Sequence, residues 1–324
     1  MLLIITCTED VTSDMLIPFL DGVNVFRFNI DKWNEYIWDF SSRGFKVLSP
    51  NGKVLTSENI KCVYLRKAMF LNAIDVPKEG CLENWLRSEV ECLWRDLYCD
   101  MAAKNRAILV KPNKLRWYKY TQMTLAQKYF NVPEWHIIRG KVPETIKDGE
   151  WITKALTQEK IGKGKIFIAK KVDPAKLDPK YTWFLQRRIK ADYDITSLYV
   201  KGKIFSFQLD RSKLNYDDCR IESPLLKWEK CELTKDEEKS IEEFMQETGF
   251  EFGRFDFLRK GETLYFLELN PNGQWAWLDL EYKNGIFECI ANEIKKVYKR
   301  WENNTFNYSN NRTYFSYIII LLFV

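Results

Sequence analysis

The chain has 324 residues, 46% of them hydrophobic and 15% aromatic, enough for a sizeable core divided over two or three lobes. Lys and Arg number 50 against 45 Asp and Glu, a net charge of +5 without a long basic block. That balance argues against a nucleic-acid binder and is compatible with an anionic ligand such as a nucleotide or an acidic peptide. The eight cysteines show no C-x-x-C spacing, and the single histidine, His136, lies near none of them, so a Cys/His zinc site is not expected. A hydrolase needing a histidine base would have to use His136, which follows Pro133-Glu134-Trp135 with no nucleophile motif nearby; it is read as structural. Met1-Leu2-Leu3-Ile4-Ile5 lacks the basic start and small-residue cleavage site of a signal peptide and reads as a first strand. Free cysteines without a secretion signal predict a reducing cytoplasm.

Residues 1–110 alternate between strand-like and helix-like segments, which predicts an α/β lobe. Leu2–Cys7 is an apolar run, and 24–29 and 62–66 alternate with period two. Residues 81–105 carry Leu82, Trp85, Leu86, Val90, Leu93 and Leu97 at helical spacing and predict one long helix. A second helix is expected over about 115–130, closed by Asn131-Val132-Pro133. Residues 134–190 read as a small β-rich lobe, with strands at Trp151–Leu156 and Lys165–Lys170 around Gly162-Lys163-Gly164. A hairpin over 194–210 turns at Lys201-Gly202. A charged helix over 234–248, strands at 252–259 and 263–269, and a last helix over about 284–300 complete the pattern. The boundaries that follow are 1–112, 113–190, 191–301 and a tail, 302–324. The tail is Asn-rich and then apolar from Tyr314, too short to span a bilayer, which needs about 20 apolar residues.

The chemistry concentrates in Gly253-Arg254-Phe255-Asp256-Phe257-Leu258 and Tyr265-Phe266-Leu267-Glu268-Leu269-Asn270-Pro271-Asn272-Gly273. Glu268 and Asn270 are two apart on a strand and share a face; by strict alternation Phe266 joins them, while Leu267 and Leu269 point away. A Glu beside an Asn inside a strand is costly without a partner. Magnesium would supply one, since it takes oxygen ligands and bridges carboxylates to phosphates. Asp256 reaches the same face only in a suitable register. A two-residue Lys260-Gly261 turn would misplace it, so a three-residue loop with Gly261 left-handed is expected.

An acid on one strand followed by Glu-Leu-Asn-Pro on the next resembles the magnesium site of ATP-grasp ligases. The longer string Glu-Leu-Asn-Pro-Asn-Gly-Gln-Trp-Ala-Trp-Leu-Asp, 268–279, resembles that of the ATP-grasp maturases of ribosomal peptides, the microviridin or graspetide ligases, grasp-with-spasm maturases included. Ile4-Ile5-Thr6, Asp14, Val25–Asn29 and Val63-Tyr64-Leu65-Arg66 are similar to the start of those enzymes. The resemblance covers about 1–300. It implies an α/β (α+β) chain of the ATP-grasp fold, with a pre-ATP-grasp domain over 1–112 and two lobes, 113–190 and 191–301, clasping ATP and Mg2+.

Residue by residue, the resemblance implies Asp256, Glu268 and Asn270 as metal ligands. Lys119, in Lys-Tyr-Thr-Gln-Met, and Lys154, in Trp-Ile-Thr-Lys, would contact nucleotide phosphate. Gln186, Arg187 and Ile189 stand in the hinge that reads adenine, and Asp194 resembles the ribose contact. Arg220 resembles the arginine that meets the γ-phosphate and the acyl phosphate. Gly162-Lys163-Gly164-Lys165 lacks Walker spacing but is similar to the loop that closes over the phosphates. Two departures stand out: Arg187 replaces a common acid, and Asp194-Ile195-Thr196 lacks the arginine of the Asp-Ile-Arg motif. Arg211, Lys213 and Arg254 are candidates to supply that charge. The catalytic candidates are therefore Arg220, Lys154 and Arg254. Trp275 and Trp277 either shape the acceptor pocket or pack in the core.

The implied reaction phosphorylates an Asp or Glu side chain of a precursor peptide and joins it to a Thr or Ser hydroxyl as an ω-ester, or to a Lys amine as an ω-amide. The partner would be a precursor with a leader and an acidic, hydroxyl-bearing core, with no nucleic acid and no membrane span, and with homodimerisation open. A glutamate-adding or glutathione-synthetase-like ligase is the nearest alternative. A non-catalytic nucleotide-binding scaffold is the alternative of another class.

Overall fold

A computed structural model describes residues 1–66, 82–114, 117–146, 148–157, 167–218, 221 and 227–301. The chain divides into two compact units, Met1–Leu115 with the segment from Gln274 onward, and Arg116–Gly273. The loop 162–165, residue 166, Arg220 and the tail lie outside the described residues; the strand expected at 165–170 instead begins at Lys170, since 167–169 take no strand pairing.

The first unit holds strands β1 (Leu2–Thr6), β2 (Val25–Asn29), β3 (Ile37–Ser41), β4 (Gly44–Leu48), β5 (Val54–Thr56), β6 (Cys62–Leu65) and β7 (Ala107–Ile108). β2-β1-β6-β7 form a parallel sheet, and β3-β4-β5 an antiparallel one. β1 and β6 are buried along their whole length, as parallel strands covered on both faces must be; the two-sided alternation expected over 62–66 does not hold, because both faces of β6 are covered. The helix Leu82–Ala103 turns Val90, Trp94, Leu97, Tyr98 and Met101 into the core beside Phe26, Phe28 and Val63, and the Trp94 and Phe28 rings stack. Residues 286–301 form the last helix; Asp279 accepts from the Ile286 N–H at 2.9 Å at its start.

The second unit holds β8 (Trp135–Ile138), β9 (Trp151–Lys154), β10 (Lys170–Val172), β11 (Trp183–Arg187), β12 (Tyr193–Val200), β13 (Lys203–Asp210), β14 (Glu229–Lys230), β15 (Phe252–Lys260) and β16 (Thr263–Asn270). They make two sheets, β10-β9-β11-β8 and β14-β13-β12-β15-β16, antiparallel throughout. The β12–β13 hairpin turns at Lys201-Gly202, both at positive φ, the twist a two-residue loop needs. The helix Lys235–Thr248 starts with a capping box between Thr234 and Glu237 and stops at Gly249, φ 64°. Its buried face, Ile241, Phe244 and Met245, packs with Phe255, Phe257 and Phe266 of β15 and β16. The second helix is shorter than its sequence suggests, Lys119–Ala126, followed by turns.

The hairpin between β15 and β16 differs from expectation in an informative way. Lys260 pairs with Thr263, so the loop is the two residues Gly261 and Glu262, with Gly261 at φ 54°. Continued evenly, that register would set Asp256 against Leu267. Instead Phe257 pairs with Phe266 and Asp256 with Glu268, leaving Leu267 as the extra residue of a β-bulge. Leu267 and Glu268 therefore share a face, and Phe266 falls on the opposite one, fully buried. The register that brings Asp256 to Glu268 comes from the bulge, not from a three-residue loop.

Candidate active site on the second unit

Two neighbouring strands, the end of a third and one helix start bring most of the expected residues together. Asp256, Glu268 and Asn270 lie side by side on one face of the five-stranded sheet. The Asn270 amide donates to Asp256 Oδ2 at 3.1 Å and to Glu268 Oε1 at 3.0 Å. Thr196, directly opposite Asp256 on β12, donates its hydroxyl to Asp256 Oδ1 at 3.2 Å. Arg254, two residues before Asp256 and on the same face, pairs with Asp256 Oδ2 at 3.0 Å. Lys119, the first residue of its helix, forms an ion pair with Glu268.

The electrostatics of this face are strained by design of the sequence. Burial raises the Asp256 carboxyl, with Glu268 adding to the effect and Arg254 opposing it. Burial would raise Glu268 too, but the Lys119 ammonium and the Asn270 amide hold its carboxyl well below the usual range. Lys154, at the end of β9, donates to Gln186 Oε1 at 2.9 Å; burial, with Lys119 nearby, pushes its ammonium down to about 8. Two carboxylates and an amide offer oxygens alone, the donor set magnesium prefers. Among the described residues no group of three or more His, Cys, Asp or Glu side chains is placed to hold a metal. The trio fits a cation once the Asn270 amide turns, exchanging the N–H group that now bridges the two carboxylates for its oxygen.

A cleft adjoins these groups, lined by Ile152, Lys154, Gln186, Ile189, Asp194 and Leu267 among others. Gln186 is buried and spends its carbonyl on Lys154. Arg187 also lines the cleft, but its guanidinium pairs with Glu134 at 2.6 Å and lies over the Trp151 ring at 4.1 Å. Its own N–H donates to the Glu134 carbonyl at 2.7 Å, and that of Arg188 to Glu150 O at 2.9 Å. Neither of those two amides is open to a base edge, although the segment was expected to read one. Asp194 is nearly buried and pairs with Arg211 at 2.7 Å; burial lifts its carboxyl to about 6 against the pull of Arg211. Arg211 also donates to the Tyr216 and Asp217 carbonyls, at 3.3 and 3.2 Å, so its charge is spent on Asp194 and this loop. Of the cations that could replace the arginine absent at Thr196, Arg254 is the one beside Asp256; the Lys213 side chain lies outside the described residues, as does Arg220.

Sequence reasoning missed two contributors. Leu267 lines the cleft, which strict alternation hides. Gln122 is buried one turn after Lys119 and bonds the Leu269 main chain twice; a polar residue on the inner side of a short amphipathic helix was the available signal. His136 faces Glu134 at 3.1 Å and packs edge-on to Trp151, a structural placement. In the first unit Trp275 is buried against Phe287, so it serves the core, whereas Trp277 is partly exposed.

No protein-family model and no curated protein sequence matches the chain. Solved structures do. A RiPP-associated ATP-grasp ligase of Chryseobacterium gregarium, in complex with ADP and a leader and core peptide, superposes with a TM-score of 0.79 at 22% identity, over 91% of this chain and 96% of that one. The macrocyclase MdnC of Microcystis aeruginosa MRC, bound with precursor peptide MdnA, gives 0.78 at 21% identity, over 91% and 99%. A D-alanine–D-alanine ligase of Bacillus anthracis is more distant, 0.54 at 13% identity, over 94% and 98%. The chain has the mixed α/β ATP-grasp fold.

Proposed function

We propose that the protein is an ADP-forming carboxylate ligase that cross-links a ribosomally made precursor peptide. The observation that carries this reading is the convergence of Lys119, Lys154, Asp256, Glu268 and Asn270 in one unit, beside a cleft lined by Lys154, Gln186 and Asp194. Two of the solved structures described above were obtained with peptides bound, which favours a peptide substrate over a free amino acid. The segments 113–190 and 191–301 are the proposed lobes of the clasp and 1–112 the preceding domain; the cytoplasm is the proposed location.

A carboxylate is a poor electrophile because its charge repels a nucleophile. In the proposed reaction an Asp or Glu carboxylate oxygen of the peptide attacks the γ-phosphorus of ATP, the β–γ bridging P–O bond breaks, and ADP leaves. A Thr or Ser hydroxyl, or a Lys amine, then attacks the acyl carbon; phosphate departs and the nucleophile's proton is released. Magnesium, held by Asp256, Glu268 and Asn270, would neutralise charge on the polyphosphate. Lys154 and Lys119 would bind the phosphates, Arg254 and Arg220 would meet the transferring group, and the region of Gln186, Arg187, Ile189 and Asp194 would hold the nucleoside. Fixed cations in a dry cleft stabilise the spread charge without reorganising during the reaction.

The test is phosphate release from Mg-ATP with a candidate precursor encoded beside the enzyme, the peptide being followed by mass spectrometry. A loss of about 18 mass units per bond, one water per condensation, is the expected result, absent in Glu268→Gln. Transfer of a separate amino acid instead would replace this reading with the glutamate-adding one. Nucleotide binding without turnover, over a panel of such peptides, would leave a scaffold.

A further inference from the structure

β16 is the edge strand of its sheet; among the described residues its outer side meets no further strand, only an isolated bridge from Asn131 to Tyr265. Two side contacts cover that edge, and they bracket the bulge. Before it, the Phe266 N–H donates to the Asn131 carbonyl at 2.8 Å. After it, Gln122, only 2% exposed, donates to Leu269 O and accepts from Leu269 N–H, both at 3.0 Å. Leu269 stands between Glu268 and Asn270, so the Gln122 amide imitates a neighbouring strand at the position that aims both groups. Three residues earlier on the same helix, Lys119 pairs with Glu268.

We infer that Gln122 is a positioning residue that locks the bulged strand to the helix bearing Lys119, and so sets the aim of the magnesium-holding oxygens. The inference rests on the proposed function of this site. Its physical ground is that a bulged edge strand has a local choice of register, which the aromatic cluster settles on one side of the bulge and contacts at the outer edge settle on the other. A side chain behind metal ligands typically changes metal affinity about 10- to 100-fold when removed. Gln122→Met keeps the volume and the helix but deletes both hydrogen bonds. Gln122→Glu keeps the acceptor for Leu269 N–H and turns the donor into an oxygen facing Leu269 O.

The experiment is titration calorimetry of ADP with and without Mg2+, on wild type and both variants, with thermal melts of each. We expect the magnesium-dependent gain in ADP affinity to fall about tenfold in Gln122→Met and at least as far in Gln122→Glu. The magnesium-free ADP affinity, carried by the lysines, should stay within about twofold, because Lys119 and Lys154 are untouched. A variant that keeps the full magnesium-dependent gain overturns the inference, whatever its melting temperature, since Gln122 is then only a packing contact. A parallel loss of both affinities overturns it too. A wild type with no magnesium-dependent gain removes the reading of the site itself, and this inference with it.

Discussion

The two faces of the five-stranded sheet are written by alternate residues of the same strands, yet opposite forces govern them. One face carries Phe255, Phe257, Phe266 and Leu269, all buried in a single aromatic cluster with Phe244 and Phe130 packed against them. The other carries Thr196, Arg254, Asp256, Glu268 and Asn270, polar groups joined to one another, with Asp194 held by Arg211. The first face is complete: its rings gain by leaving water and need nothing more. The second is balanced only by borrowed cations, so it stores unfavourable charge that a metal and a polyphosphate would relieve. Mutations should separate the two, losing stability on one face and chemistry on the other.

The largest expected effect lies on the polar face. Asp256→Asn keeps the size of the side chain and its contacts with Thr196 and Asn270 while removing one of two crowded carboxylates. Cross-linking should fall about 10³-fold, measured as phosphate release with peptide. The melting temperature should move by no more than about 4 °C, as for a change under 1 kcal/mol. Unfolding of this variant would mean that the polar face holds the fold after all. Phe266→Ala reverses the pattern. It empties a fully buried ring position and should cost about 3–5 kcal/mol in denaturant unfolding. The surviving folded fraction should retain magnesium-dependent ADP binding.

How much of this was legible in the sequence depends on the range of the interactions concerned. Helix spacing gave the long helix Leu82–Ala103, because Val90, Trp94, Leu97 and Tyr98 need only local periodicity to face one core. Lys201-Gly202 gave the β12–β13 hairpin, because the turn is decided by two residues. The Glu268–Asn270 pair was legible because two residues on one strand share a face whatever their partner. The bulge was not, since it is settled by what lies across and beside the strand: Phe257 drawing Phe266 into the aromatic cluster, and Asn131 and Gln122 gripping the edge. The engagement of Arg187 by Glu134 and Trp151 was equally hidden, as those partners stand 53 and 36 positions away. Periodicity carries information along one strand; side-to-side register needs the neighbour.

Leu267 sharpens the comparison because strict alternation assigns it to the wrong face. Alternation sends it to the aromatic side, whereas the bulge puts it beside Ile152 and Ile189 in the cleft. Leu267→Ala should therefore weaken ADP binding about fivefold, the effect of roughly 1 kcal/mol of lost apolar contact, while leaving unfolding nearly unchanged. A large loss of stability with unaltered nucleotide affinity would return Leu267 to the core.

The smallest effect is a fraction of a proton, and it asks whether the stored charge is released on binding. Burial and the nearby Lys119 lower the Lys154 ammonium from its ordinary 10.5 to about 8. Between those values the folded chain binds fewer protons at this site than the unfolded one. Its contribution to stability therefore rises with pH from about 8 to 10.5, and the cost is present in full below 8. Phosphate oxygens brought beside the amine would favour its charged form and draw a proton back. ADP binding at about pH 8.5 should then take up part of a proton, seen as a dependence of the calorimetric heat on buffer ionisation enthalpy. Lys154→Arg, charged throughout this range, should bind without that uptake. Equal heats in all buffers for the wild type would place Lys154 away from the phosphates, and leave Lys119 as the cation that meets them.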